Sequence, residues 1–289
     1  MTSRDVPTFE TRRYAGSGGV FLTADVGGDS SAPAVILMHG GGQTRHSWHG
    51  ATRRLVADGY HVVSLDTRGH GDSDWSPSGE YGLEVLAADL LAVIATLKTR
   101  PVLVGASLGG STGLYAVGNA ATPIARALVM VDVIPRVDPA GAERIVNFMR
   151  SHVDGFANVE EAIDAVAAYN PHRPRPRDPA GLMKNLRCQA DGRLYWHWDP
   201  RIVKTSSRLE PPDLVEPLLA AASRVRIPTL LVRGLLSDVV TDAGVAELRG
   251  VLPDLEVLGV AQAGHMVAGD KNDVFSKAIG AFLRRHAPL

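Results

Sequence analysis

Four short runs constrain this chain more than anything else in its 289 residues: AVILM (34–38), PVLV (101–104), ALVMV (127–131) and TLLV (229–232). None of them alternates apolar with polar. A strand of that kind has to be covered on both faces, which a parallel sheet between two layers of helices provides. Longer helical patterns lie between the runs, LEVLAADLLAVIATLK (83–98) being the clearest amphipathic one. Alternating strand and helix signals of this sort predict an α/β fold around a largely parallel sheet.

Other elements fit the same rhythm. GVFLTADVG (19–27) reads as an early strand paired in a hairpin with FETRRYA before it, HVVSLD (61–66) as a further buried strand, and DLEVLGV as the last. SWHGATRRLVADGY reads as a helix with Gly59 near its end, and a final helix is expected over about 271–286. The rhythm breaks between about 134 and 224, where helical patterns continue without a convincing buried strand. PHRPRPRDP (171–179) in that stretch is too proline-rich for either regular element. The expected organisation is therefore a core made of 1–133 and 225–289, with a helical lid over 134–224.

A formal charge of −1 leaves no electrostatic footprint for nucleic acid or an anionic membrane surface. One cysteine, Cys188, excludes an internal disulfide. The opening residues lack the apolar core of a signal peptide, and no stretch approaches the roughly 20 apolar residues of a membrane span. A soluble, cytoplasmic protein is expected, with no membrane or nucleic-acid partner. Monomer and homodimer remain equally open.

The chemistry concentrates around GASLG, residues 105–109. It matches G-x-S-x-G, follows an apolar strand and precedes a small-residue helical run, the setting that a nucleophile elbow requires. Ser107 is the expected nucleophile, and the helix start beyond it offers N–H donors to developing negative charge. A serine hydroxyl needs a base. His265, in QAGHMV just past the last strand, stands where chain order serine, acid, histidine would put one. The acid that fixes the tautomer of the base is expected at Asp238, in LLSDVVT after TLLVRG, with Asp132 at the end of ALVMVD as the rival.

Together, HGGG (39–42), LDTRGHGDSD (65–74), GASLGG, GLLSD and the late GH resemble the α/β-hydrolase superfamily. Within it the chain is similar to the lidded branch holding esterases, cofactor-free haloperoxidases (perhydrolases) and lactonases. The resemblance covers nearly the whole chain. It implies an eight-stranded, mostly parallel sheet with the lid inserted after the sixth strand, and no cofactor or metal. Relatives that open epoxides or remove halide carry aspartate at the elbow; Ser107 implies an acyl-enzyme instead. For the oxyanion the resemblance implies N–H donors from Leu108 and from Gly41, with Gly42 the alternative because three glycines permit more than one backbone path. His39 is expected to brace that loop, and Arg68, His70 and Asp72 to stabilise theirs.

Trp48, Arg45, His46 and Trp196 are candidate pocket residues. Trp48 reads equally as a core anchor, and the aromatics of YWHWDP (195–200) equally as the lid's own small core. The expected activity is hydrolysis of a small-molecule carboxylic ester or lactone. Perhydrolysis, carbon–carbon bond hydrolysis with the same triad, and a non-catalytic ligand-binding role are the alternatives.

Overall fold

The apolar runs become the inner strands of one eight-stranded sheet. The computed structural model describes residues 8–171, 175, 178–204, 211–265 and 272–289. The strands are β1 (Glu10–Ala15), β2 (Phe21–Gly27), β3 (Ala34–Met38), β4 (His61–Leu65), β5 (Val102–Ala106) and β6 (Ala127–Val131). A two-stranded pair follows, β7 (Leu186–Cys188) and β8 (Leu194–Trp196), and then β9 (Thr229–Gly234) and β10 (Glu256–Val260) return to the main sheet. Its order is β1-β2-β4-β3-β5-β6-β9-β10. β2 runs antiparallel to both its neighbours, and the other pairs are parallel.

Successive side chains leave a strand on opposite faces, and here both faces are covered. Val35 and Leu37 of β3 join Val102, Val104, Val129 and Val232 under two helices, α1 (His49–Ala57) and α10 (Asn272–His286). Ile36 and Met38 join Leu103, Leu128 and Leu231 on the other face. That side is covered by α2 (Leu83–Ile94), α3 (Leu108–Asn119), α8 (Pro211–Ala222) and α9 (Asp242–Val251). Burying one such aliphatic side chain is worth roughly 1.5–3 kcal/mol. An inner strand of five buried residues is therefore strongly held.

Between β6 and α8 lie α4 (Pro139–Ser151), α5 (Val159–Tyr169), the single turns α6 (Ala180–Met183) and α7 (Arg201–Lys204), and the β7–β8 hairpin. This segment has its own apolar cluster, built on Met149, Phe156, Leu186, Trp196 and Trp198 and joined by Tyr81 from the main body. Two expectations need correction. The segment does contain strands, each three residues long and too short to leave a buried-run signature. The boundary expected at 224 falls too late, because α8 belongs to the main core: Leu218 and Ala222 are buried with Leu114 and Leu128. Of the proline-arginine stretch, residues 172–174 and 176–177 lie outside the described residues; Arg175 pairs with Glu160 and Asp164.

Strand order reverses around β3. From β3 the chain moves to β4 on one side, then crosses to β5 on the other. In open parallel sheets such a reversal leaves a crevice at the carboxyl ends of the strands, where ligands bind. Among the described residues no helix is long and apolar enough to cross a membrane.

Candidate active site

β5 ends at Ala106, α3 begins at Leu108, and Ser107 is the single residue between them. Its backbone lies at φ 46°, ψ −115°, a region that non-glycine residues rarely occupy. Such strain persists only where surroundings enforce it. Here the Ser107 N–H donates to the Val131 carbonyl at 3.0 Å, tying the turn to the end of β6. Gly105 and Gly109 make the turn possible. A Cβ on Gly105 would collide with the backbone of Gly109 and Gly110, and one on Gly109 would lie 2.5 Å from the Met38 carbonyl oxygen. Leu108 is the first residue of α3, so its N–H is among those a helix leaves without an internal partner.

The glycine loop after β3 lies against this serine: a Cβ on Gly40 would stand 3.4 Å from that of Ser107. Two buried histidines set its path. His39 Nδ1 meets the Gly40 carbonyl at 2.8 Å, and its Nε2 accepts the Thr67 N–H at 3.0 Å. His70 Nε2 accepts the Gly42 N–H at 3.1 Å, while its Nδ1 lies 3.2 Å from the Arg68 carbonyl. Burial drives the pKa of His39 down to about 4 and that of His70 down to about 3, so both stay neutral. Neutral imidazoles have one donor and one acceptor nitrogen, as these contacts demand. The Gly40 N–H faces Gln43 Oε1 at 3.3 Å. Gly42, expected as the alternative to Gly41, therefore has its N–H committed to His70, and Gly41 lies between two committed neighbours.

The acid expected at Asp238 is not the one that meets His265. His265 Nδ1 lies 2.8 Å from Oδ2 of Asp132, whose side chain is fully buried. Asp132 also accepts the Gly234 N–H at 2.8 Å and the Ser237 hydroxyl at 2.5 Å. Ser237 and Asp238 are adjacent at the exit of β9, and the turn points Ser237 inward and Asp238 outward. Asp238 instead forms an ion pair with Arg144 of α4. Ser237 was not recognisable from sequence, since nothing but its tertiary position distinguishes it from other loop serines.

The expected pocket residues disperse. Trp48 is buried in the core beneath α1 and α10. Arg45 is buried with its guanidinium on Asp66 at 2.5 Å, Asp72 at 2.7 Å and Asp25 at 3.0 Å. Burial opposes its charge, but Asp66 and its companions outweigh burial and hold its pKa above the ordinary arginine value. Arg45 is thus a structural cation. His46 stands 3.8 Å from Asp25 of β2, with β4 and β3 between that strand and β5. Its pKa is lowered by burial and by Arg45. Trp196 packs edge-on against Phe156 with ring centroids 5.1 Å apart, inside the 139–204 cluster. Arg68 makes a buried, bidentate bridge to Asp89 at 2.7 and 2.8 Å. Among the described residues no group of three or more His, Cys, Asp or Glu side chains is placed to hold a metal ion.

A family model described as the alpha/beta hydrolase fold matches residues 33–271. An esterase of Mycobacterium tuberculosis is 32% identical over 250 residues, covering 83% of this chain and 79% of that protein. A 2-(acetamidomethylene)succinate hydrolase of Mesorhizobium japonicum is 28% identical over 268 residues, covering 91% of this chain and 92% of that one. The crystal structure of an E-2-(acetamidomethylene)succinate hydrolase superposes with a TM-score of 0.84 at 25% identity, over 96% of this chain and 99% of that chain.

Proposed function

The chain belongs to the α/β-hydrolase family, and we propose that it is a serine hydrolase cleaving a carboxylic ester or lactone through an acyl-enzyme. Hydrolysis as the reaction class is supported by the esterase and the other hydrolase among its relatives. The observation that carries the finer reading is the 2.8 Å contact of His265 Nδ1 with buried Asp132, on the same sheet edge as the strained Ser107.

In this mechanism His265 removes the Ser107 proton as Oγ attacks the carbonyl. Asp132 accepts the Nδ1–H, which leaves Nε2 free to act as base and then stabilises the imidazolium. The N–H groups of Gly41 and Leu108 hold the oxyanion; removing one such donor costs roughly 3–4 kcal/mol. His265 returns the proton to the leaving alcohol and then activates water to release the acid. Residues 139–204 form the lid in this reading, a narrower span than 134–224.

Ser107→Ala, assayed with p-nitrophenyl acetate and butyrate, is expected to lose at least 1,000-fold in kcat and all labelling by a fluorophosphonate. Turnover at the wild-type rate in that variant would refute the assignment. The relative acting on 2-(acetamidomethylene)succinate, with the superposition of its solved structure, supports a second reading in which an amide is the substrate. The same acyl transfer would then expel an amine, so a small acetamido acid belongs in the substrate screen.

A further inference from the structure

α4 touches both banks of the crevice. At its N-terminal end Gly141 packs on the backbone of Asp238 and Arg144 is ion-paired with its carboxylate, both in the loop after β9. At its C-terminal end Met149 lies over the glycine loop after β3, its methyl 3.4 Å from where a Cβ on Gly42 would be. β3 and β9 are separated in the sheet by β5 and β6, so their ends stand about 14 Å apart at the usual strand spacing. The eight helical steps from Gly141 to Met149 span about 12 Å. α4 therefore crosses the ends of β5 and β6, where Ser107 and Asp132 sit.

Gly141, Ile145 and Met149 are successive i, i+4 positions and share one helix face. Gly141, Ala142 and Met149 are buried, whereas Glu143, Asn147 and Arg150 are exposed on the outer side. Ile145 stands at the centre of that face, partly buried and in contact with the 139–204 cluster. Ile145 is thus the α4 side chain midway between the two contacts, on the helix face that makes both.

We propose that α4 is the roof of the acyl-binding space and that Ile145 sets the length of acyl chain admitted above Ser107. The inference rests on the serine-hydrolase reading. It assigns an apolar, unbranched acyl group to the space, because an aliphatic ceiling offers no partner to a charged or hydrogen-bonding one.

The test compares Ile145→Ala, Ile145→Trp and Asn147→Ala. The readout is the octanoate-to-acetate ratio of kcat/KM for p-nitrophenyl esters, together with the ratio of labelling rates for long- and short-chain alkyl fluorophosphonates. Thermal unfolding of each variant confirms that it folds. The ratio is expected to rise at least tenfold in Ile145→Ala, to fall at least tenfold in Ile145→Trp, and to stay within threefold in Asn147→Ala. Wild-type ratios in both Ile145 variants, or the same shift in Asn147→Ala, would overturn the role of Ile145 while leaving the hydrolase reading standing. A wild-type protein that neither turns over any ester nor labels at Ser107 would remove the reading itself, and the inference with it.

Discussion

Two carboxylates compete for one histidine, and they differ in what they can do from where they sit. Asp132 is fully buried and accepts from Gly234, Ser237 and His265, so its orientation is held from three directions. Asp238 is partly exposed and faces Arg144. Asp132→Asn is expected to lower kcat/KM for p-nitrophenyl butyrate about 1,000- to 10,000-fold, since an amide cannot hold the imidazole in the required tautomer. Asp238→Asn should cost less than tenfold. The opposite ranking would return the acid role to Asp238. Ser237→Ala removes one of three restraints on Asp132, and a fall in kcat with little change in KM is the expected result. The turn at Ser107 and the place of His265 were legible from sequence because each is locally recognisable: a strand–turn–helix with flanking glycines, and the loop after the last strand. The carboxylate that meets His265 was not, because the loops after β6 and β9 both present an aspartate, and only the direction in which the second loop turns tells them apart.

At the scale of elements, the glycine loop is shaped by imidazoles rather than by glycine alone. His39 and His70 hold neighbouring parts of it, with ring centroids 5.0 Å apart. Both have folded-state pKa values well below the ordinary 6.5 because burial penalises the charged ring. The unfolded chain then binds more protons than the folded one below pH 6.5. Their contribution to stability is complete above that value and is lost as pH falls toward 4 and 3, with a slope of up to about 1.4 kcal/mol per pH unit for each histidine. Urea midpoints between pH 7.5 and 5, a range above most carboxylate titrations, should fall accordingly. His70→Gln should flatten the dependence; an unchanged slope would mean that folding does not lower the pKa of His70. The HGGG run showed that a backbone comes close to something, but not that one of its N–H groups is already occupied. His70 lies 28 residues further on, in a loop where it reads only as a local stabiliser.

For the whole molecule, the two tryptophans expected near substrate belong to two separate cores. Trp48 lies under α1 and α10, and Trp196 in the 139–204 cluster. Trp48→Ala should cost about 3–5 kcal/mol of global stability by urea unfolding. Trp196→Ala should instead speed hydrogen exchange within 139–204 while leaving β3, β5 and β6 protected, because the clusters share no buried residue. Loss of protection in the central strands would show that the two parts unfold as one. The chain by itself determined the sheet with its double covering, the elbow at Ser107 and the late histidine, because these depend on side-chain periodicity and on turns that a few neighbouring residues define. Only the tertiary structure decided which carboxylate meets His265, the occupied Gly42 N–H, the burial of Arg45 and Trp48, the place of α8 in the main core and the contacts of α4 with the loops after β3 and β9. Each of those depends on contacts between residues far apart in the chain, such as the 133 separating Asp132 from His265, and a local pattern carries no record of which distant loop will turn toward it.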